Sequence, residues 1–475
     1  LKSDLTLTLG SILDRQRQAA AKQGAPSAAL RREWLDRAIG LLVDFQRDIV
    51  DCLAADFGHR STHASLVTDV YGAIEPLRHA RKHVADWMKS ERRKVQFPLN
   101  LLGGRARVEY QPKGIVGIIS PWNFPVNLTF GPLAGVFAAG NRAVIKPSEF
   151  TPATSELMQR MLRQAFDETE VAVVTGGPAV GEMFSRLAFD HLVFTGATSV
   201  ARHVMRAAAD HLVPLTLELG GKSPVIVSTS ADMDKAVTKI MSGKTLNAGQ
   251  ICLAPDYVFV PEDQRDQAVS AARQAVGRMY PTLKDNPDYT SIVNQRHFDR
   301  LQNLLKDAAD KGATLIEINP AREDFSQQPN FKIPPTLVLD ATDDMAVMQD
   351  EIFGPILPIK TYRQINDVVG YINDHPRPLG LYYFGDDPTE TRMVLDKTVS
   401  GGVTVNDVLM HFSIEDLPFG GIGPAGMGSY HGFDGFKAFS HAKAIYSAPK
   451  IDAGAMLRPP YGKKLEGLMA KMIKR

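Results

Sequence analysis

Residues 115–146 read IVGIISPWNFPVNLTFGPLAGVFAAGNRAVIK, and this stretch decides the fold. Ile115–Ile119 is short and β-branched, Ala143–Ile145 is similar, and the apolar run Leu128–Gly140 between them has the length of a helix. Strand, helix, strand is the unit from which parallel sheets are built, because a parallel neighbour can be reached only by a crossover. The unit recurs: Val171–Val174 precedes a helix from about Val180, and Leu192–Phe194 runs into a helix at about Thr198. The expected class is therefore α/β, with a Rossmann-like parallel sheet that binds its ligand at the carboxyl ends of the strands.

Upstream, from about Ser11 to Lys89, apolar residues recur at helical spacing, as in Leu35, Ile39, Leu42 and Phe45. That layer ends near Phe97, Pro98 and Gly103-Gly104, and Ala106–Gln111 alternates like a half-buried strand, which predicts a β-hairpin beside the helices. Downstream of Leu219-Gly220-Gly221 a second α/β series begins, with strands predicted at Val225–Val227, Tyr257–Val260, Thr314–Ile318, Thr336–Val338 and Ile356–Lys360. From Phe419 the chain is rich in glycine and aromatics, and Leu457–Arg475 is a basic amphipathic tail expected to pack on the parent fold rather than on a membrane.

Composition removes several function classes. Over 475 residues, 44% apolar and 23% charged side chains exclude a disordered or fibrous chain. The 54 basic and 53 acidic side chains leave a formal charge of +1, so no global field draws the molecule to nucleic acid or an anionic membrane. Two cysteines, Cys52 and Cys252, exclude a disulfide framework and fit a reducing compartment. No uninterrupted run of about 18 apolar residues suits a membrane span, and the opening lacks a secretory pattern; the expectation is a cytoplasmic protein without stable membrane insertion.

Three residues are candidates for chemistry. Cys252 lies in Asn247-Ala-Gly-Gln-Ile-Cys-Leu-Ala-Pro, where small residues permit close backbone approach and Pro255 limits any helix. A lone thiol is more often a small buried hydrophobe, which is the reading for Cys52 on its helix. Glu218 interrupts an apolar segment before a glycine turn, as a carboxylate at a strand end facing a cleft would, and burial would raise its pKa toward that of a general base. Asn123, held between Pro121 and Pro125, presents an amide that can either satisfy its own turn or donate to a developing oxyanion.

For a dinucleotide, Gly421-Ile-Gly423-Pro-Ala-Gly426 fits G-x-G-x-x-G but lacks a preceding β-branched strand and contains Pro424, so it is set aside. The better candidate is the strand-to-helix turn at Gly196, with Thr198 or Ser199 able to cap the helix and a phosphate at its N-terminus. Lys146-Pro-Ser-Glu149 places an ammonium and a carboxylate where ribose hydroxyls bind. The pairs His59/His63 and His79/His83 have ligand-like spacing, yet no third ligand accompanies either, and they are read as solvated helix faces with no metal expected.

Together Pro121-Trp-Asn-Phe-Pro, Lys146-Pro-Ser-Glu, Phe194-Thr-Gly, Leu217-Glu-Leu-Gly-Gly-Lys, Gly249-Gln-Ile-Cys, Glu351-Ile-Phe-Gly-Pro and Pro418-Phe-Gly-Gly resemble the aldehyde dehydrogenase superfamily, from about residue 10 to about residue 450. The resemblance implies that Cys252 attacks the aldehyde to give a thiohemiacetal, that Asn123 and the Cys252 N–H hold its oxyanion, and that Glu218 activates the water that hydrolyses the thioester. It implies NAD, with NADP as the alternate cofactor: Lys146 and Glu149 on the adenosine ribose, Gly177 and Gly196 in close approach, and Glu351 on the nicotinamide ribose. Trp122 and Phe353 would shape the nicotinamide pocket, and Ser120, Pro121, Thr195, Ala197 and Leu219 would complete the cofactor surface.

Ala254-Pro-Asp-Tyr, Asn406-Asp-Val-Leu-Met-His411-Phe and Gly426-Met-Gly-Ser-Tyr-His431-Gly look most like the class 3 type and, within it, bacterial enzymes acting on coniferyl aldehyde. Ferulate is then the expected product, with medium or long-chain aliphatic aldehydes the main alternative and Phe130, Leu253 and Phe412 as candidate pocket walls. A CoA-acylating enzyme and a non-catalytic binding protein of the same fold are weaker alternatives, since Glu218 favours water and Cys252, Glu218 and Asn123 are all present. The implied division is 1–99 with 114–219 for the cofactor, 220–430 for catalysis, 100–113 with 431–450 as a small β element joining a homodimer, and 451–475 as the tail.

Overall fold

The computed structural model describes residues 2–97, 99–452, 454–455 and 458–473; Pro98, Leu457 and Arg475, named above, lie outside the described residues. A six-stranded sheet runs Gly426–Met427, Leu215–Leu219, His191–Gly196, Ile115–Ile119, Arg142–Lys146, Val171–Val173. All its pairings are parallel except that of Gly426–Met427 with Leu217 and Glu218. The predicted strand-helix-strand unit is at its centre. The crossover helix Asn127–Ala139 is buried at every position, as expected of a helix apolar all round. The helices Ala28–Asp44, Gly72–Trp87 and Gly432–Ala438 pack against it. Gly117, mid-strand, is required by packing: a Cβ there would lie 2.7 Å from the Phe189 ring and 2.8 Å from Leu192.

The second sheet has seven strands, Thr314–Glu317, Thr336–Leu339, Ile356–Tyr362, Tyr257–Pro261, Pro224–Val227, Gly380–Phe384 and Gly402–Val405, parallel except for the first. The last two were not expected from the sequence. Gly380-Leu-Tyr-Tyr-Phe and Gly402-Val-Thr-Val each open on glycine, which reads locally as a turn, and only pairing with one another and with Pro224–Val227 makes them strands. The expected hairpin is present: Glu91–Arg93 pairs with Arg105–Pro112, which pairs along eight residues with Ser440–Ser447.

Several expectations are corrected. The tail helix Lys463–Met472 has no fully buried residue, and Leu465, Leu468 and Met469 on one side of it are half-buried. His59 precedes the short helix Thr62–Ser65, so it shares no helix face with His63, and its Nε2 lies 3.1 Å from the Pro287 carbonyl oxygen. His79 and His83 do share a face, but their rings pack at a tilt against one another and His83 stacks on Trp87, so both are part-buried rather than solvated. Phe130 and Leu253 are core residues, 0% and 3% exposed, and only Phe412 of the three proposed pocket walls is half-buried.

Candidate active site

The carboxyl ends of the central strands open on a cleft of about 1110 Å³, larger than the roughly 300–1,000 Å³ of pockets for drug-sized ligands. Its wall includes Ser120, Pro121, Trp122, Asn123, Lys146, Glu149, Thr195, Gly196, Ala197, Glu218, Leu219, Cys252, Glu351 and Phe353, so the structure brings these sequence candidates to one surface. Gly177 stands just outside it, before the helix Pro178–Ser185, whose Pro178 and Gly181 line the wall.

Cys252 is held by an unusual turn. After the helix Met233–Thr245, Asn247 and Ala248 both adopt left-handed backbone, φ 50° and 52°, a conformation that costs non-glycine residues of order 1 kcal/mol each or more. Gly249 follows at φ 73°, where a Cβ would fall 2.3 Å from the Gly354 carbonyl oxygen. The thiol loop thus presses on the loop that carries Glu351. Gln250 locks the turn: its Nε2 donates to the carbonyls of Asn247 and Ser291 at 2.9 and 3.0 Å, and its Oε1 accepts from the Val293 N–H at 3.0 Å.

Asn123 is tied to the same turn, its Nδ2 donating to the Gln250 carbonyl at 3.2 Å. An amide nitrogen carries two hydrogens, so one donor is left for the cleft. The Asn123 carbonyl accepts from Arg60 Nη1 at 2.7 Å and from Asn247 Nδ2 at 3.2 Å. Arg60 in turn pairs with Asp69 at 2.6 Å, both wholly buried, and Asp69 accepts from the N–H groups of Val126 and Asn127. Sequence reading missed this pair because nothing local distinguishes Arg60 and Asp69 from surface charges; only burial reveals them.

Glu218 is 1% exposed, and apart from the Cys252 thiol its carboxylate oxygens have no hydrogen-bond partner. Burial pushes its pKa up to about 7, opposed only by the Cys252 thiol. That thiol is itself driven well above its ordinary range, first by burial and then by the negative charge of Glu218 and of Glu351. The resting pair is a neutral thiol facing a carboxyl that titrates near neutrality. Such a carboxyl is suited to take the thiol proton as sulfur attacks and, later, a proton from water.

The remaining wall fits a nicotinamide dinucleotide. Lys146 Nζ donates to Glu149 Oε2 at 2.7 Å, forming the expected ammonium-carboxylate pair. At Gly196 a Cβ would come within 2.9 Å of the Phe194 ring, so any side chain would narrow the approach to the turn. The helix Thr198–Ala209 begins there, but its cap position is Ala197, which has no side-chain oxygen; Thr198 turns away to the Pro424 carbonyl, correcting the capping expectation. Trp122 and Phe353 meet edge to face at 5.3 Å, and His297 lies on Trp122 at 4.9 Å. Oε1 of Glu351 is buried without a partner, an acceptor waiting for a donor such as a ribose hydroxyl. Burial, with Asp256 close by, lifts Glu351 to about 8.

Glycine makes room for that carboxylate, since a Cβ at Gly220 would sit 2.0 Å from Glu351 Oε2. Lys222, two residues on, binds Asp256 at 2.5 Å and the carbonyls of Val347 and Asp350, and Asp256 receives the Ile352 N–H. Arg300 donates to the carbonyls of Glu351 and Ile352 from the other side. The G-x-G-x-x-G look-alike does something different. A Cβ at Gly421 would fall 1.9 Å from the Ala425 carbonyl oxygen and one at Gly426 would fall 2.1 Å from that of Leu217, so these glycines pack the chain against the strand of Glu218.

The chain has well-matched relatives among known proteins. The chain is 60% identical to a probable coniferyl aldehyde dehydrogenase of Caulobacter vibrioides, covering 98% of this chain and 97% of that protein. It is 53% identical to the coniferyl aldehyde dehydrogenase of a Pseudomonas species, covering 98% and 96%. Among solved structures, AldH of Staphylococcus aureus in a substrate-bound state superposes with a TM-score of 0.90 at 35% identity, covering 97% of this chain and 99% of that one. The aldehyde dehydrogenase family profile matches residues 11–445, and the chain belongs to that family, whose members oxidise aldehydes with NAD(P).

Proposed function

We propose that Cys252, Glu218 and Asn123 carry the oxidation and that coniferyl aldehyde is the substrate, ferulate the product. The observation that carries the reading is the Cys252 thiol facing a buried carboxylate without other partners. Sulfur adds to the aldehyde carbon while the thiol proton passes to Glu218. The resulting oxyanion is held by the free Asn123 amide hydrogen and the Cys252 N–H. Lys146, Glu149 and Glu351 would hold NAD(P), which would supply the acceptor for the hydride whose loss converts the thiohemiacetal into a thioester. Once Glu218 has released that proton to solvent it takes one from water as the water oxygen attacks the acyl carbon; the C–S bond breaks, the product leaves as a carboxylate with its own proton lost to solvent, and the proton on Glu218 returns to sulfur to restore the thiol.

The coniferyl aldehyde assignment is supported by the 60% and 53% identical relatives. NAD is the preferred cofactor in this reading, because the Glu149 carboxylate beside the adenosine ribose repels a 2′-phosphate. The residue ranges 1–99 with 114–219, 220–430, and 100–113 with 431–450 then act as cofactor, catalytic and dimer-forming parts. Support for the last comes from Ser440–Ser447, an outer strand of its sheet with largely exposed side chains. The two unpaired cysteines support a reducing, cytoplasmic setting.

Cys252→Ala tests the reading: oxidation is lost by at least about a thousandfold while NAD affinity, followed by fluorescence titration, stays within about twofold. Equal loss of both would refute the roles assigned.

A further inference from the structure

Arg60 and Asp69 are buried as a charged pair where an apolar pair would serve stability as well, because taking two charges out of water offsets most of what their attraction gains. What the pair holds is the loop that carries Asn123. The guanidinium forks: Nη2 donates to Asp69 Oδ2 at 2.6 Å and Nη1 donates to the Asn123 carbonyl at 2.7 Å. Two rings confine it, with Cζ 4.6 Å from the centroid of Phe57 and 5.1 Å from that of Phe124. The other oxygen of Asp69 accepts from the Val126 and Asn127 N–H groups at 3.1 and 3.4 Å, where the helix Asn127–Ala139 begins. One ion pair thus grips the loop at Asn123 and again three residues later.

A second path ties the same segment to the thiol turn. The carbonyl of His59, next to Arg60, accepts from the Ser291 N–H at 2.9 Å, and the Ser291 carbonyl accepts from Gln250 Nε2 at 3.0 Å. Gln250 stands two residues before Cys252, and its own carbonyl accepts from Asn123 Nδ2 at 3.2 Å. The hydrogen bonds therefore close a ring through Arg60, Asn123, Gln250, Ser291 and His59, which returns to Arg60 along the chain. A closed ring fixes both the separation and the direction of its members. The second hydrogen of the Asn123 amide is the one the ring leaves for the cleft.

We propose that Arg60, held by Asp69, is a positioning residue that sets the Asn123 amide where the oxyanion develops on substrate bound to Cys252. The proposal rests on Asn123 being an oxyanion donor. Arg60 stands outside the cleft wall and acts through the Asn123 backbone. A donor lowers the barrier only if it is aimed at the tetrahedral oxygen before that oxygen forms, and a misplacement of about 1 Å costs on the order of a hundredfold. Addition of sulfur and attack of water both pass through such an oxyanion, so the clamp serves both half-reactions. Arginine suits the task because two donors in one rigid plane reach two acceptors at a fixed separation, which an ammonium on a flexible stem does not.

Arg60→Lys keeps the charge beside Asp69 and loses the fork. With NAD and aldehyde saturating, kcat and the single-turnover rate of NADH formation are each expected to fall about thirtyfold, while KM for NAD stays within about twofold. Asn123→Ala removes the amide, leaves the carbonyl that Arg60 holds, and is expected to cost about a hundredfold. In that background Arg60→Lys is expected to change the rate by less than about twofold, because no amide is left to aim. A pair that only holds the fold together would show its full loss in both backgrounds. Asp69→Asn, whose amide oxygen still accepts from Val126 and Asn127, is expected to lose about tenfold, again only where Asn123 is present, and it decides the question if Arg60→Lys does not fold. A parent-like rate in the deciding variant, or a loss that persists with Asn123→Ala, overturns the positioning role alone. A silent Asn123→Ala refutes the oxyanion role of Asn123, and the positioning role falls with it.

Discussion

Glu218 at about 7 and a Cys252 thiol above its ordinary range give the active site two pH signatures of the same sign. Below pH 7 Glu218 is protonated and cannot take a proton from water, so kcat limited by deacylation is expected to fall with an inflection near 7 and to level off above it. Thiol attack strengthens further as pH rises, so kcat/KM should keep climbing beyond that plateau. Glu218→Gln is expected to remove the inflection near 7, lower kcat by about a hundredfold and leave a burst of NADH; an unaltered profile in stopped-flow work would mean another base. Cys252, Glu218 and Asn123 were legible because each breaks its local pattern. A thiol stands in a small-residue turn, an acid in an apolar strand and an amide between prolines. Arg60 and Asp69 break no local pattern, and their significance lies in burial that only the folded chain creates.

At the scale of elements, the site is a meeting of three tight loops, and glycine sets how close they come. The loop 219–222 and the loop of Glu351 touch only because Gly220 has no side chain, and the Cys252 turn meets Gly354 only because of Gly249. Gly220→Ala is therefore expected to displace Glu351 and raise KM for NAD by about tenfold or more, with far less effect on single-turnover chemistry once NAD is saturating. A KM within twofold of the parent would show that the Glu351 carboxylate does not hold the cofactor. The strands from Ile115 to Gly196 could be read from β-branched runs alone, whereas Gly380–Phe384 and Gly402–Val405 could not, since their strand character comes from neighbours distant in sequence. The capping role expected for Thr198 or Ser199 failed because the helix starts at Thr198 as expected, which leaves Ala197, without a side-chain oxygen, at the cap position.

For the whole molecule, one cleft gathers residues at or just after strand ends of the six-stranded sheet, such as Asn123 and Gly196, and residues from the later part of the chain, such as Cys252 and Glu351, and no helix among the described residues is long and apolar enough to cross a membrane. The three-stranded sheet ends in Ser440–Ser447, whose Tyr446 is 51% exposed. Sedimentation is expected to give a species of twice 52.0 kDa, and Tyr446→Glu to shift it toward 52.0 kDa with circular dichroism unchanged; a parent enzyme that sediments as a monomer would contradict the dimer. The order of the two parallel sheets along the chain was readable from repeated strand-helix units, whereas the pocket walls were not, since Phe130 and Leu253 are buried in the core and only Phe412 is half-buried. The most direct test of the account is NADH formation with coniferyl aldehyde, cinnamaldehyde, benzaldehyde and decanal, using NAD and NADP in parallel and Cys252→Ala as control. The account predicts that coniferyl aldehyde with NAD gives the highest kcat/KM and that the variant is silent; a lead for decanal, or turnover by the variant, would contradict it.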